Sequence, residues 1–189
     1  MIAFHGKQET KDFYMSRIKA HALADEIIKG QYWEGGKGCA VGCTIHGSTH
    51  KDYEIELGIP EWLARLEDAL FENISDEKAK QWPVQFLEAI NIGSDLEKVK
   101  KPFLIFILKN NLKTLDSLKV DPKFDAVIKS IEASKAATLQ MIDAHEKGLD
   151  LEAARSAAES AGSAAESAVW SATYKLYAEK ILELIRECK

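Results

Sequence analysis

The sequence predicts an all-α protein: a multi-helix bundle with a C-terminal helical hairpin that ends in a long alanine-rich helix. Three observations predict it. Apolar residues recur at helical spacing, prolines and glycines fall where helices start and stop, and no stretch reads convincingly as a strand. Residues 1–120 read as an N-terminal helical body, and residues 121–189 as a hairpin packed on that body.

The first helix is expected from Thr10 to Ile28, with Phe13, Ala20, Ala24 and Ile27 at helical spacing and Gly30 ending it. Shorter helices follow at Lys51 to Leu57, Pro60 to Phe71, Asp76 to Gln81, Pro83 to Ile90, Asp95 to Lys98 and Pro102 to Leu118. Pro60, Pro83, Pro102 and Pro122 each stand where a helix would begin, because a first-turn residue has no use for its N–H. Asp121 is a candidate N-cap, Ser94 with Glu97 spells a capping box, and Gly58 and Gly148 suit left-handed helix ends. The apolar run Phe103 to Leu108 is read as buried helix, since proline precedes it and KNNLKTLDSL extends it at helical spacing.

In the last third, Phe124, Val127, Ile128, Ile131, Thr138 and Ile142 form one stripe on a helix from Pro122 to Lys147. A second helix from Leu151 repeats SAAES after seven residues, which aligns Ala154, Ala158, Ala161, Ala165, Ala168 and Ala172. A straight helix of that length spans about 57 Å, against a radius of gyration of roughly 16 Å for a compact chain of this size. It must bend near Gly162 or pack its alanine line on another helix, either the one starting at Pro122 or its counterpart in a homodimer.

Composition narrows the function classes. The formal charge is −5, and residues 1–60 hold seven Lys or Arg against eight Asp or Glu, so no basic half exists to track nucleic-acid phosphates. The longest apolar run is far short of the roughly 20 residues that span a bilayer, and the N-terminus lacks a signal-peptide pattern. Three cysteines, an odd number, suit a reducing cytoplasm better than a disulfide framework.

Chemistry is concentrated in GGKGCAVGCTIHGSTH, residues 35–50, which holds Cys39, Cys43, His46 and His50. Two thiols and two imidazoles are a ligand set for tetrahedral zinc. The spacing of four, three and four residues also continues to Tyr53 and Leu57 as one helical stripe. On an unbroken helix Cys39 and His50 would be about 16 Å apart, so a shared metal requires the chain to turn, with Gly42 and Gly47 as the residues that permit it. Otherwise the stripe faces inward as small apolar and hydrogen-bonded residues. A nucleophilic reading is also open. If a helix starts at Cys39, its dipole and Lys37 would favour the thiolate, with His46, His50, His21 or His5 as base. Asp25 could orient His21 from one turn away. Glu54, Glu67, Asp68 and Glu72 could add carboxylate ligands or a proton acceptor but read first as an exposed acidic face, and Trp33, Trp62 and Trp82 read as packing residues.

The residues QYWEGGKGCAVGCTIH, followed by YEIELGIP, LARLED and a WP-x-x-FL segment, resemble a group of uncharacterised bacterial and phage proteins. In that group this block precedes a variable, alanine-rich helical tail. The resemblance implies a prokaryotic or phage setting and one N-terminal unit, but no activity, cofactor or catalytic residue. The expectation is therefore a cytoplasmic binding or interaction protein with zinc at Cys39, Cys43, His46 and His50. The competing expectations are a hydrolase or acyl transferase using Cys39 with His46, and a purely structural helical protein.

Overall fold

Apolar residues at helical spacing draw the chain into an all-α bundle over the residues that this computed structural model describes, 1–148 and 170–188. The chain divides into one unit of residues 1–100 with 170–189 and a second unit of residues 101–169.

In the first unit, a 3-10 turn at Ala3–Gly6 leads into α1 (Gln8–Leu23), which buries Tyr14, Met15 and Ile18 and packs on the helices at Ala40–Ile45 and Trp82–Ala89. α1 stops well short of Ile28. Asp25 takes a left-handed φ of 55° and pairs with Lys80 at 2.6 Å, which turns the chain so that buried Ile27 bridges to Gly38. A small antiparallel hairpin follows, β1 (Trp33–Glu34) with β2 (Lys37–Gly38). Gly35 and Gly36 both have positive φ, 59° and 85°, as a tight two-residue hairpin turn requires. Each strand has two residues, too few to show alternation in the sequence.

α2 (Ala40–Ile45) is wholly buried and ends at His46, itself left-handed (φ 54°, ψ 43°). A π-helical turn, Tyr53–Leu57, ends at left-handed Gly58 as expected. α3 (Glu61–Asn73) follows Pro60 and buries Leu63, Ala64, Glu67, Leu70 and Phe71, a continuous helical stripe. The short α4 (Asp76–Ala79) and α5 (Trp82–Ala89, with Pro83 in its first turn) complete this layer. The last helix, α8 (Trp170–Glu187), packs on α3 and α5 through a stripe that includes Ala178, Ile181, Leu182 and Ile185. Its end is fastened by Asn91, whose Nδ2 donates to the carbonyls of Arg186 and Cys188 at 3.0 Å each. The boundary expected at residue 120 falls at 101 instead, and α8 belongs to the first unit.

α6 (Glu97–Ser117) begins four residues before the second unit and merges two expected helices, carrying Pro102 inside rather than at a start. Ser94 donates to the Asn91 carbonyl at 2.8 Å instead of capping it. Within the second unit, α7 (Asp125–Lys147) lies beside α6 through Lys109–Glu146 at 2.8 Å and Lys135–Asp116 at 3.1 Å. Pro122 lies before α7 in a turn where the Lys123 N–H donates to Asp121 at 3.0 Å, so Asp121 fixes a turn and Phe124 is the N-cap. Phe124 and Val127 are about half exposed rather than on a buried stripe, whereas Ile142 is buried and Gly148 ends α7 as expected. Ala154, Ala158, Ala161, Gly162, Ala165 and Ala168, and with them the expected homodimer contact, lie outside the described residues. No helix among the described residues is long and apolar enough to cross a membrane.

Candidate functional site

Cys39 is the N-cap of α2. Its Sγ accepts from the Gly42 N–H at 3.5 Å, and its own N–H donates to the carbonyls of Gln31 (2.6 Å) and Tyr32 (3.1 Å). The strand-leading segment therefore lies directly on the start of α2. A Cβ at Gly38 or Gly42 would overlap the Tyr32 carbonyl, so both glycines answer to close backbone approach. The turn that sequence reading assigned to Gly42 and Gly47 is made at His46 instead.

That reversal brings His50 back toward α3. His50 Nε2 lies 3.2 Å from Oδ2 of Asp68, and the Tyr32 ring meets the imidazole edge-on at 5.6 Å. The Tyr53 hydroxyl donates to Oε2 of Glu67 at 2.7 Å, and the Trp82 indole donates to the Glu67 carbonyl at 3.1 Å. The other oxygens of the two carboxylates, Glu67 Oε1 and Asp68 Oδ1, are buried without a hydrogen-bond partner. Cys39 is 2% exposed, His50 7% and Glu67 0%, and the contacts form two adjacent pairs at α3, His50 with Asp68 and Tyr53 with Glu67.

Burial dominates the electrostatics. It pushes the Cys39 thiol up, opposed by the Gly42 N–H and reinforced by the carboxylates of Asp68 and Glu67. The thiol is held protonated. Desolvation outweighs the favourable amide, which corrects the expectation of a thiolate at a helix start. Glu67 is raised well above the usual carboxyl range, by burial first and then by the Asp68 charge, and Tyr53 is raised by burial and by Glu67.

The other sequence candidates go elsewhere. Cys43 donates to the carbonyls of Gly38 (3.3 Å) and Glu26 (3.6 Å), and burial pushes it up to about 12. His46 is exposed, stacked on Trp33 with ring centroids 4.3 Å apart, and its Nε2 lies 2.7 Å from Nε2 of His21. His21 is oriented by Glu26, 2.7 Å from Nδ1, not by Asp25, which turns to Lys80. Burial, Arg17 and His21 lower the His46 pKa. His5 donates from Nε2 to the Ile55 carbonyl at 3.0 Å. Glu54 accepts from the Glu61 N–H, and Glu72 from the Gly30 N–H. Trp33 serves a histidine, Trp62 donates to Glu97 at 3.1 Å, and Trp82 is core.

The four expected zinc ligands are thus divided. Cys39 caps α2 through the Gly42 N–H, His50 pairs with Asp68, His46 joins His21, and Cys43 turns to backbone. Among the described residues no group of three or more His, Cys, Asp and Glu side chains is placed to hold a metal ion. Glu67 and Asp68, expected first on an exposed acidic face, are instead buried and half-buried. The signal for Glu67 was present in its position between Leu63 and Leu70 on the apolar stripe.

Fold and site together define an all-α protein with a buried thiol, carboxylate and imidazole cluster at a helix start. No protein-family model, curated protein or solved structure matches the chain.

Proposed function

We propose that the protein is a thiol-dependent enzyme of the hydrolase or acyl-transferase type, with Cys39 as nucleophile and Asp68 and His50 handling its proton. The observation that carries this reading is the partly buried His50–Asp68 pair at 3.2 Å, whose carboxylate helps to hold the buried Cys39 thiol protonated. Burying two carboxylate oxygens without partners costs about 1–3 kcal/mol each, and an apolar core of the same volume would avoid that cost. Clusters of perturbed, buried ionisable groups are concentrated at functional sites.

Because the resting thiol is neutral, a base must take its proton as the bond to substrate forms. Asp68 accepts the S–H proton while Sγ adds to an acyl carbon and the carbonyl electron pair moves to oxygen. Collapse of that adduct expels the leaving group, which takes the proton. Water, or an acceptor alcohol or amine, then adds to the thioester, gives its proton to Asp68, and releases the thiol again. His50, 3.2 Å from Asp68, orients the carboxylate, and a protonated Glu67 keeps the region from carrying two negative charges. Cys39 is buried, so substrate reaches Sγ only when its surroundings open, and the Gln31 and Tyr32 carbonyls are packed on the start of α2 there.

Turnover of activated acyl esters by the full chain tests this. Wild type is expected to release product continuously, Cys39→Ser to lose that activity, and His50→Ala to lose at least tenfold. Turnover unchanged in Cys39→Ser, or no turnover beyond that variant, contradicts the reading.

A further inference from the structure

We propose that His21 and His46 form a second site, independent of Cys39, that binds one divalent transition-metal ion of the zinc, nickel or copper(II) class through their Nε2 atoms. The two Nε2 atoms face each other at 2.7 Å, from α1 and from the residue that ends α2. Imidazole nitrogens suit these borderline-soft cations.

The surroundings hold both rings in a ligating pose. Oε2 of Glu26 lies 2.7 Å from Nδ1 of His21. The Nδ1–H therefore donates to the carboxylate and leaves Nε2 as the ligating atom, an outer carboxylate arrangement typical of metal-bound histidine. His46 is fixed by its backbone, whose N–H donates to the Gly42 carbonyl at 2.8 Å, and by Trp33, stacked within 9° of parallel. The same indole meets His21 edge-on at 5.3 Å. The left-handed backbone of His46, uncommon for a residue with a Cβ, directs this side chain to the pair rather than along the Cys39 and Cys43 stripe.

Two nitrogens at zinc distances of about 2.0–2.1 Å in a tetrahedral shell stand roughly 3.3 Å apart. The pair must open by about 0.6 Å relative to that spacing, within reach of small rotations of an exposed side chain. The proton shared between the rings leaves as the ion enters. Two tetrahedral positions remain for water on the exposed His46 side, as in a site that keeps open coordination.

Calorimetric titration of the full chain with zinc chloride, repeated with nickel chloride, in a non-chelating buffer tests the proposal. One ion per chain is expected. His21→Ala and His46→Asn each abolish binding, the asparagine tolerating left-handed backbone so that unchanged circular dichroism shows the fold intact. Glu26→Gln weakens binding about 10-fold, the lower end for a lost outer-shell partner, while Cys39→Ser and His50→Ala leave it unchanged. No binding by wild type, binding that survives His46→Asn in a folded protein, or binding lost in Cys39→Ser overturns it.

Discussion

His46 and His50 are four residues apart in the sequence and occupy opposite environments. His50 is buried and paired with Asp68, whereas His46 lies exposed on Trp33 and shares its Nε2 contact with His21. One residue creates the difference. By taking a left-handed backbone, His46 ends α2 and sends the chain back to α3. A stripe that would have been continuous becomes two clusters, one governed by desolvation and one open to solvent. Proximity along the chain therefore says little about which side chains act together.

Substitutions sharpen this contrast. Gly42→Ala is expected to have the largest effect, because its Cβ would overlap the Tyr32 carbonyl and displace the segment that carries Tyr32 to one cluster and Trp33 to the other. A loss of about 3 kcal/mol, at the upper end for overpacking, should appear in urea unfolding. His50→Ala comes next. It leaves Asp68 buried without its ring partner, for a loss of about 2 kcal/mol by the cost of an unsatisfied buried group. His46→Asn, at an exposed position, should cost no more than about 0.5 kcal/mol; equal losses at the two histidines would erase the distinction drawn here.

Glu67→Gln probes the buried cluster through pH. The folded Glu67 carboxyl holds its proton where the unfolded one, near 4.5, has lost it. Its contribution to stability is therefore complete below pH 4.5 and is lost as pH rises through the higher folded value. Melting temperatures of wild type should decline across that window more steeply than those of Glu67→Gln. Cys43 gives a smaller test at the alkaline end. Its folded thiol titrates near about 12 against 9.0 in the free group, so stability should fall between those values, and less in Cys43→Ala.

Much of the architecture was legible in the sequence. Helical spacing located the stripes of α3 and α5, and Gly58 and Gly148 ended their helices at left-handed φ. What escaped depended on partners distant in sequence. α1 stops early because Asp25 turns to Lys80, 55 residues away, and α6 runs through Pro102 where the sequence suggested a start. The proposed site draws on two regions of the sequence. Residues 35–50 do hold the thiol and the imidazole, but their carboxylate comes from α3, and local spacing carries no information on which acid in an acid-rich helix is buried.

The central claim is that Asp68 serves Cys39 as a proton acceptor while holding the resting thiol protonated. It is tested most directly by measuring two rates at Cys39 in wild type and Asp68→Asn, alkylation by iodoacetamide and turnover of an activated ester. Removing the charge should speed alkylation, by easing ionisation, and slow ester turnover at least tenfold, by removing the base. Two rates that move in the same direction would contradict the account.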